Sequence, residues 1–179
     1  DFQLLVHSNR LDESRKFRSH LRSWWFGCIC FKSNLMSQFD LTFHHLGLAV
    51  SAVDKASLFV KSLGYKLGIP ISDPLQRVDL IMCVHPEMPA IELVFNESNF
   101  NESPISSILK GRGESIYHIC YECNNIINSM ELIKSSGLKV VKVSAAKPAI
   151  LFGGRLVAFY YVSGFGLIEL LQEDEKNDS

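Results

Sequence analysis

An internal repeat limits what this chain can fold into more than any other feature of the sequence. Residues 43–66 (FHHLGLAVSAVDKASLFVKSLGYK) align with residues 116–139 (IYHICYECNNIINSMELIKSSGLK) without a gap, at a constant offset of 73 residues. Identities fall at His45/His118, Lys61/Lys134, Ser62/Ser135, Gly64/Gly137 and Lys66/Lys139. Apolar positions correspond at Leu46/Ile119, Val53/Ile126, Phe59/Leu132 and Val60/Ile133. A period of this kind is a supersecondary unit used twice, so the expectation is two like modules.

Each module opens on an alternating stretch, which predicts a strand, and then changes to helical spacing. The first helix is expected to start at Ser51 with Asp54 three residues on, the second at Asn124/Asn125, residue types that cap helix N-termini. Val53, Ala56, Val60 and Leu63 fall on one helical face, as do Ile126, Met130 and Ile133. Gly64 and Gly137 stand where a left-handed residue ends a helix. Further strands are expected at Tyr65–Ile69, Val78–Val84 and Ala90–Phe95, and again at Lys139–Val143, Arg155–Val162 and Leu167–Leu171. Both modules end in the same tripeptide, Ile91-Glu92-Leu93 and Ile168-Glu169-Leu170. The expected fold is α+β, a tandem of β-α-β-β-β modules (40–95 and 114–172) with 96–113 as the connection.

Charge narrows the partners. With 18 basic against 19 acidic residues the net charge is −1, so no basic field draws in nucleic acid or an anionic membrane, and a small molecule or a protein is the expected partner. The longest apolar run, Trp24–Phe31, is far shorter than the roughly 20 residues of a membrane-spanning helix. The five cysteines, Cys28, Cys30, Cys83, Cys120 and Cys123, lack the paired spacing of a zinc ribbon or a disulfide scaffold. Cys120 and Cys123, three apart on a strand, are expected to face opposite ways, so reduced thiols in a cytoplasmic protein are the expectation. Residues 1–35, with six basic and three acidic residues, read as an N-terminal extension outside the fold, and 173–179 as a charged tail.

The first strand sorts Phe43, His45, Gly47 and Ala49 onto one face, which leaves room beside an imidazole where a packed strand would fill it. His118, Cys120 and Glu122 hold the equivalent face of the second module. Glu92 and Glu169 sit in otherwise apolar strands, where an unpaired carboxylate would cost several kcal/mol to bury. If the first and last strands of both modules share a sheet face, His45, Glu92, His118 and Glu169 converge. One divalent cation (cobalt, nickel, zinc or manganese) would then offset the burial, and calcium, which prefers oxygen throughout, would not suit. His44 and His85 have no counterpart in the other module and read as bland, with His44 the rival to His45 as a ligand.

Residues 40–172 resemble the vicinal oxygen chelate (glyoxalase/bleomycin resistance) superfamily, and within it the methylmalonyl-CoA epimerase and glyoxalase I branch. The pieces that carry the resemblance are His44-His45-Leu-Gly-Leu-Ala-Val50, Glu102-Ser-Pro-Ile105, Gly113-Glu-Ser-Ile-Tyr-His118-Ile-Cys-Tyr-Glu122 and Gly166-Leu-Ile-Glu169-Leu-Leu-Gln172. The resemblance implies a curved mixed sheet around a metal cleft, with His45, Glu92, His118 and Glu169 as ligands, and a homodimer. It also implies metal-assisted proton transfer next to a thioester carbonyl, with Glu169 and Glu92 as the bases and a CoA or carrier-bound acyl thioester as substrate. Two departures bear on the acyl group. Leu80 is expected to hold the inward position of Gln76–Met82, with Asp79 outward, and Tyr160-Tyr161-Val162-Ser163 replaces a frequent His-Pro-Lys segment. A glyoxalase I-type lyase acting on a hemithioacetal, or a metal-free binding or resistance module, would fit the same fold.

Overall fold

A computed structural model describes residues 37–173 of the chain. The expectations for residues 1–35, including the Trp24–Phe31 run and Cys28 and Cys30, and for nearly all of the charged tail, lie outside the described residues.

The first module comprises β1 (Thr42–Ala49), α1 (Val53–Ser62), β2 (Lys66–Leu67), β3 (Ile71–Asp73), β4 (Val78–Val84) and β5 (Ala90–Phe95). The second comprises β6 (Ser115–Cys123), α3 (Ile126–Ser135), β7 (Val140–Lys142), β8 (Lys147–Pro148), a 3-10 turn at Ile150–Phe152, β9 (Leu156–Val162) and β10 (Gly166–Gln172). Among the described residues, all ten strands form one mixed sheet in the order β2-β4-β5-β1-β6-β10-β9-β7, with β3 on β4 and β8 on β9. The order reads alike from both ends, so the repeat is a pseudo-twofold whose axis runs between β1 and β6. Those two strands pair antiparallel, with Leu46 opposite Ile119, its own equivalent, and Gly47 opposite His118.

Within each module the first strand pairs in parallel with the last, β1 with β5 and β6 with β10. Alternation fixes the faces. Val50, Leu93 and Phe95 join Val53 and Val60 of α1 in one core, and Ile168 and Leu170 join Ile126, Met130 and Ile133 of α3 in its counterpart. Glu92 and Glu169 are thereby turned to the opposite face. A one-residue slip would carry each carboxylate into the apolar core under the helix and turn both flanking apolar side chains out of it, at about 1.5–3 kcal/mol for each apolar side chain.

Two expectations require correction, and three elements go beyond the expected modules. Ser51 does not cap α1: the N-cap is Ala52, without a side-chain bond, and Ser51 Oγ instead donates to Glu114 of the other module. Leu63 lies past the end of α1 and is 46% exposed, so it leaves the buried stripe. The connecting segment is not plain loop, because α2 (Pro104–Arg112) occupies it and buries Ile105 against Ala49, Leu80 and Val94. Ser103-Pro104 ahead of Ile105, Ile108 and Leu109 is the readable signal, with proline at the first helical turn and apolar residues at helical spacing. The three-residue β3 and two-residue β8 are too short for alternation to reveal them. Asn125 caps α3 as expected, accepting from Asn128 N–H at 3.0 Å. Gly64 and Gly137 adopt φ of +94° and +88°.

Candidate metal centre

Pairing brings the four residues together in two rows across the central strands. In one, Glu92 on β5 stands beside Gly47 on β1, which stands beside His118 on β6. In the other, His45 on β1 stands beside Cys120 on β6, which stands beside Glu169 on β10. Each row thus sets an imidazole and a carboxylate either side of a small residue. The room expected beside His45 is filled from the other module: a Cβ placed at Gly47 would overlap the ring of His118.

All four residues are buried, none more than 4% exposed, and their donor atoms lie within 4.8 Å of one another. The two imidazoles approach through Nε2 at 3.4 Å. His45 Nε2 is 3.5 Å from Glu92 Oε2 and 3.4 Å from Glu169 Oε2, and His118 Nε2 is 3.7 and 3.4 Å from the same two oxygens. Atoms at the corners of a tetrahedron with such edges stand about 2.1 Å from its centre, an ordinary zinc–nitrogen or zinc–oxygen distance. Glu169 Oε2 is buried without a hydrogen-bond partner, an expensive state for a carboxylate oxygen unless a cation faces it. Two carboxylates also balance the charge of one divalent ion. On geometry, charge and the unpartnered oxygen, the residues present fit such an ion.

In the metal-free chain these buried groups act strongly on one another. Burial opposes a charge on His45, but contact with Glu92 and the charges of Glu92 and Glu169 outweigh it and raise its pKa. Burial likewise works against the Glu169 anion. The nearby His118, the charge of His45 and the Cys120 thiol outweigh it and hold the carboxyl below the usual range. His44, His45 and Cys120 form a second close group of possible donors. Burial and the adjacent Glu169 push the Cys120 thiol far up, so that it stays protonated in the metal-free chain. Cys120 and Cys123 face opposite ways as expected, packing into separate clusters.

The centre borders a cleft of about 330 Å³ to which Glu92 and Glu169 both contribute, with Leu80, Tyr117, Phe159 and Leu167 among its walls. Leu80 holds the inward position as expected. Asp79 faces the other side of the sheet, accepting from Ser98 N–H at 2.7 Å and Ser98 Oγ at 2.6 Å, and Glu122 is paired with Arg155. Neither takes part in the centre. His44, the rival to His45 as a ligand, lies against the centre, with its Nδ1 2.8 Å from Nδ1 of His45. Tyr117, beside His118 in sequence, packs edge-on against that ring at 4.5 Å. Burial, then the charges of Glu92 and Glu169, push its pKa up and keep the hydroxyl protonated.

Residues 44–159 match the family model described as the Glyoxalase/Bleomycin resistance protein/Dioxygenase superfamily. The chain belongs to this superfamily. Among relatives, it is 30% identical over 133 residues to the ethylmalonyl-CoA/methylmalonyl-CoA epimerase of Cereibacter sphaeroides, covering 72% of this chain and 96% of that protein. It is 29% identical over 133 residues to the mitochondrial methylmalonyl-CoA epimerase of Bos taurus, covering 72% of this chain and 73% of that one. The methylmalonyl-CoA epimerase of Mycobacterium tuberculosis shares the glyoxalase-superfamily fold at a TM-score of 0.62 and 21% identity, over 83% of this chain and 95% of that one. No helix among the described residues is long and apolar enough to cross a membrane.

Proposed function

We propose that this chain is a metal-dependent epimerase that moves the proton α to a thioester carbonyl, acting on an acyl-CoA of the methylmalonyl-CoA kind. The observation that carries the reading is the meeting of two carboxylates, one from each module, with two histidines at a largely apolar cleft. The relatives named as epimerases support the reaction class.

His45, Glu92, His118 and Glu169 would hold the cation, which when bound supplies a Lewis acid that favours negative charge on a neighbouring carbonyl oxygen. Glu169 accepts the α-proton as general base, and the C–H electron pair passes into the carbonyl. Glu92, on the other side of the pseudo-twofold axis, relays a proton from solvent to the opposite face, the electron pair returns to re-form the C–H bond with the stereocentre inverted, and Glu169 gives its proton up to solvent. Leu80 and Phe159 give the acyl group an apolar wall. The exposed Arg77 and Lys147, which also line the cleft, offer positive charge to an anionic thioester carrier or acyl carboxylate. The reading includes a homodimer, a cytoplasmic setting and residues 40–172 as the working unit.

The deciding experiment is deuterium wash-in from solvent, by mass spectrometry, across a panel of acyl-CoA thioesters with metal-loaded protein. Exchange at the α-carbon of methylmalonyl- or ethylmalonyl-CoA is expected. No exchange with any member of the panel would overturn the proposal.

A further inference from the structure

The register between β1 and β6 breaks twice. From Phe43 to His45, β1 advances two residues while β6 advances one, from Tyr121 to Cys120. From Gly47 to Leu48, β1 advances one residue while β6 advances two, from His118 to Ile116. The extra residues are His44 and Tyr117, equivalent positions of the repeat, each directly before a histidine of the centre. A bulge leaves its extra residue unpaired and re-aims its side chain. Both His44 and Tyr117 consequently rest against the imidazole that succeeds them in the chain.

The two bulges carry different chemistry. Tyr117 meets His118 with a ring edge, and Nδ1 of His118 is buried without a hydrogen-bond partner. His44 meets His45 with a nitrogen, Nδ1 to Nδ1 at 2.8 Å. Phe152 packs against both rings, edge-on to His44 at 5.4 Å and tilted over His45 at 5.7 Å, which limits their rotation. Only one direction of this hydrogen bond suits ligation. If His44 donated, the neutral His45 ring would carry its proton on Nε2 and have no lone pair for an ion. If His45 donates from Nδ1, its Nε2 lone pair is free and points at Glu92, Glu169 and His118.

We propose that His44 is a positioning residue that accepts the Nδ1 proton of His45 and so fixes the tautomer and ring angle with which His45 meets the cation. The inference rests on the proposed metal centre. It makes the two histidines unequal: His45 is held through its second nitrogen and His118 by packing alone. Such outer partners of a ligand histidine orient it and raise its basicity, and their loss costs about 10- to 100-fold in metal affinity.

The test uses the full chain and cobalt(II) as probe, with affinity read by competition against a chromophoric chelator and ligand geometry by the visible absorption spectrum. His44→Leu removes the acceptor while filling space. His44→Asn keeps an oxygen near the position of Nδ1. His44→Ala is a second acceptor-free variant should the leucine disturb folding, which circular dichroism of the metal-free proteins reports. The Leu and Ala variants should bind cobalt about 10- to 100-fold more weakly with an altered spectrum, and Asn should recover most of both. Wild-type affinity and spectrum in a folded Leu or Ala variant would overturn the role of His44, as would an Asn variant as weak as Leu. Wild-type protein that binds no cobalt would instead overturn the metal centre, and this inference with it.

Discussion

The imidazole of His118 occupies the space that any side chain at residue 47 would need. Glycine is required there by close approach across the antiparallel pair rather than by an unusual backbone angle. Gly47→Ala should therefore displace the ring while β1 and β6 stay paired. The expected result is at least a tenfold loss of metal affinity by titration calorimetry, with overpacking of about 1–3 kcal/mol and an unchanged far-ultraviolet spectrum. Undiminished affinity would mean that His118 is not a ligand.

Glu169→Gln keeps the shape of the side chain and one oxygen donor but removes the anion. Solvent exchange of the α-proton should fall by about 10² to 10⁴, the usual contribution of a general base. Glu92→Gln tests the division of labour. If each carboxylate serves one face, the two variants lose exchange from opposite stereoisomers. An exchange rate equal to wild type in Glu169→Gln would identify that residue as a bystander.

A cation held only by the folded chain adds its binding free energy to stability. At metal 100-fold above Kd the gain is about 2.7 kcal/mol, read as a rise of several degrees in Tm. Chelation should reverse it. A melting curve indifferent to both would exclude the centre.

Asp79 lends itself to a pH test away from the centre. Burial disfavours its charge, but the Ser98 hydroxyl and backbone N–H outweigh that and hold the carboxyl below its ordinary 3.8. Its folded pKa being the lower one, the group stabilises the fold above the unfolded value, and the contribution disappears as pH falls through the folded value. Asp79→Asn should cost about 1–3 kcal/mol near neutrality, the scale of hydrogen bonds to a charged group. It should also flatten the loss of stability below about pH 4. Denaturant titrations at several pH values measure both, and a parallel offset from wild type at every pH would refute the linkage.

Removal of residues 1–35 should leave fold and metal affinity as they are, because the repeat and the four proposed ligands all lie beyond Met36. Insolubility of the truncated chain would instead assign the Trp24–Phe31 run to a core or a subunit contact.

The modules and the convergence of His45, Glu92, His118 and Glu169 are legible in the sequence because they depend on period. Strand alternation sets each side chain's face, and the repeat doubles the signal. What stays hidden depends on breaks in period. The bulges at His44 and Tyr117 add a residue to one strand opposite none on the other, and nothing in FHHLGL or SIYHIC announces it. His44 therefore looks like a residue without a counterpart, when its counterpart is Tyr117 in the same backbone position with a different side chain. The helix over Pro104–Arg112 escapes for another reason, since its proline and apolar spacing are present but lie in a stretch that the repeat marks only as a connection.

The shared bulge also separates what the two units have in common from what they do not. Two copies with only five identities in twenty-four positions of their aligned cores kink at the same place, so the kink is a feature of the repeated backbone unit rather than of one sequence. The self-equivalent Leu46/Ile119 contact sets the two units face to face as two copies of one piece would meet, each lending a histidine and a glutamate to a shared centre. At that shared kink the two halves differ in what they present: His44 meets its histidine with a nitrogen, Tyr117 with a ring edge, so a backbone that is twofold surrounds a centre that is not.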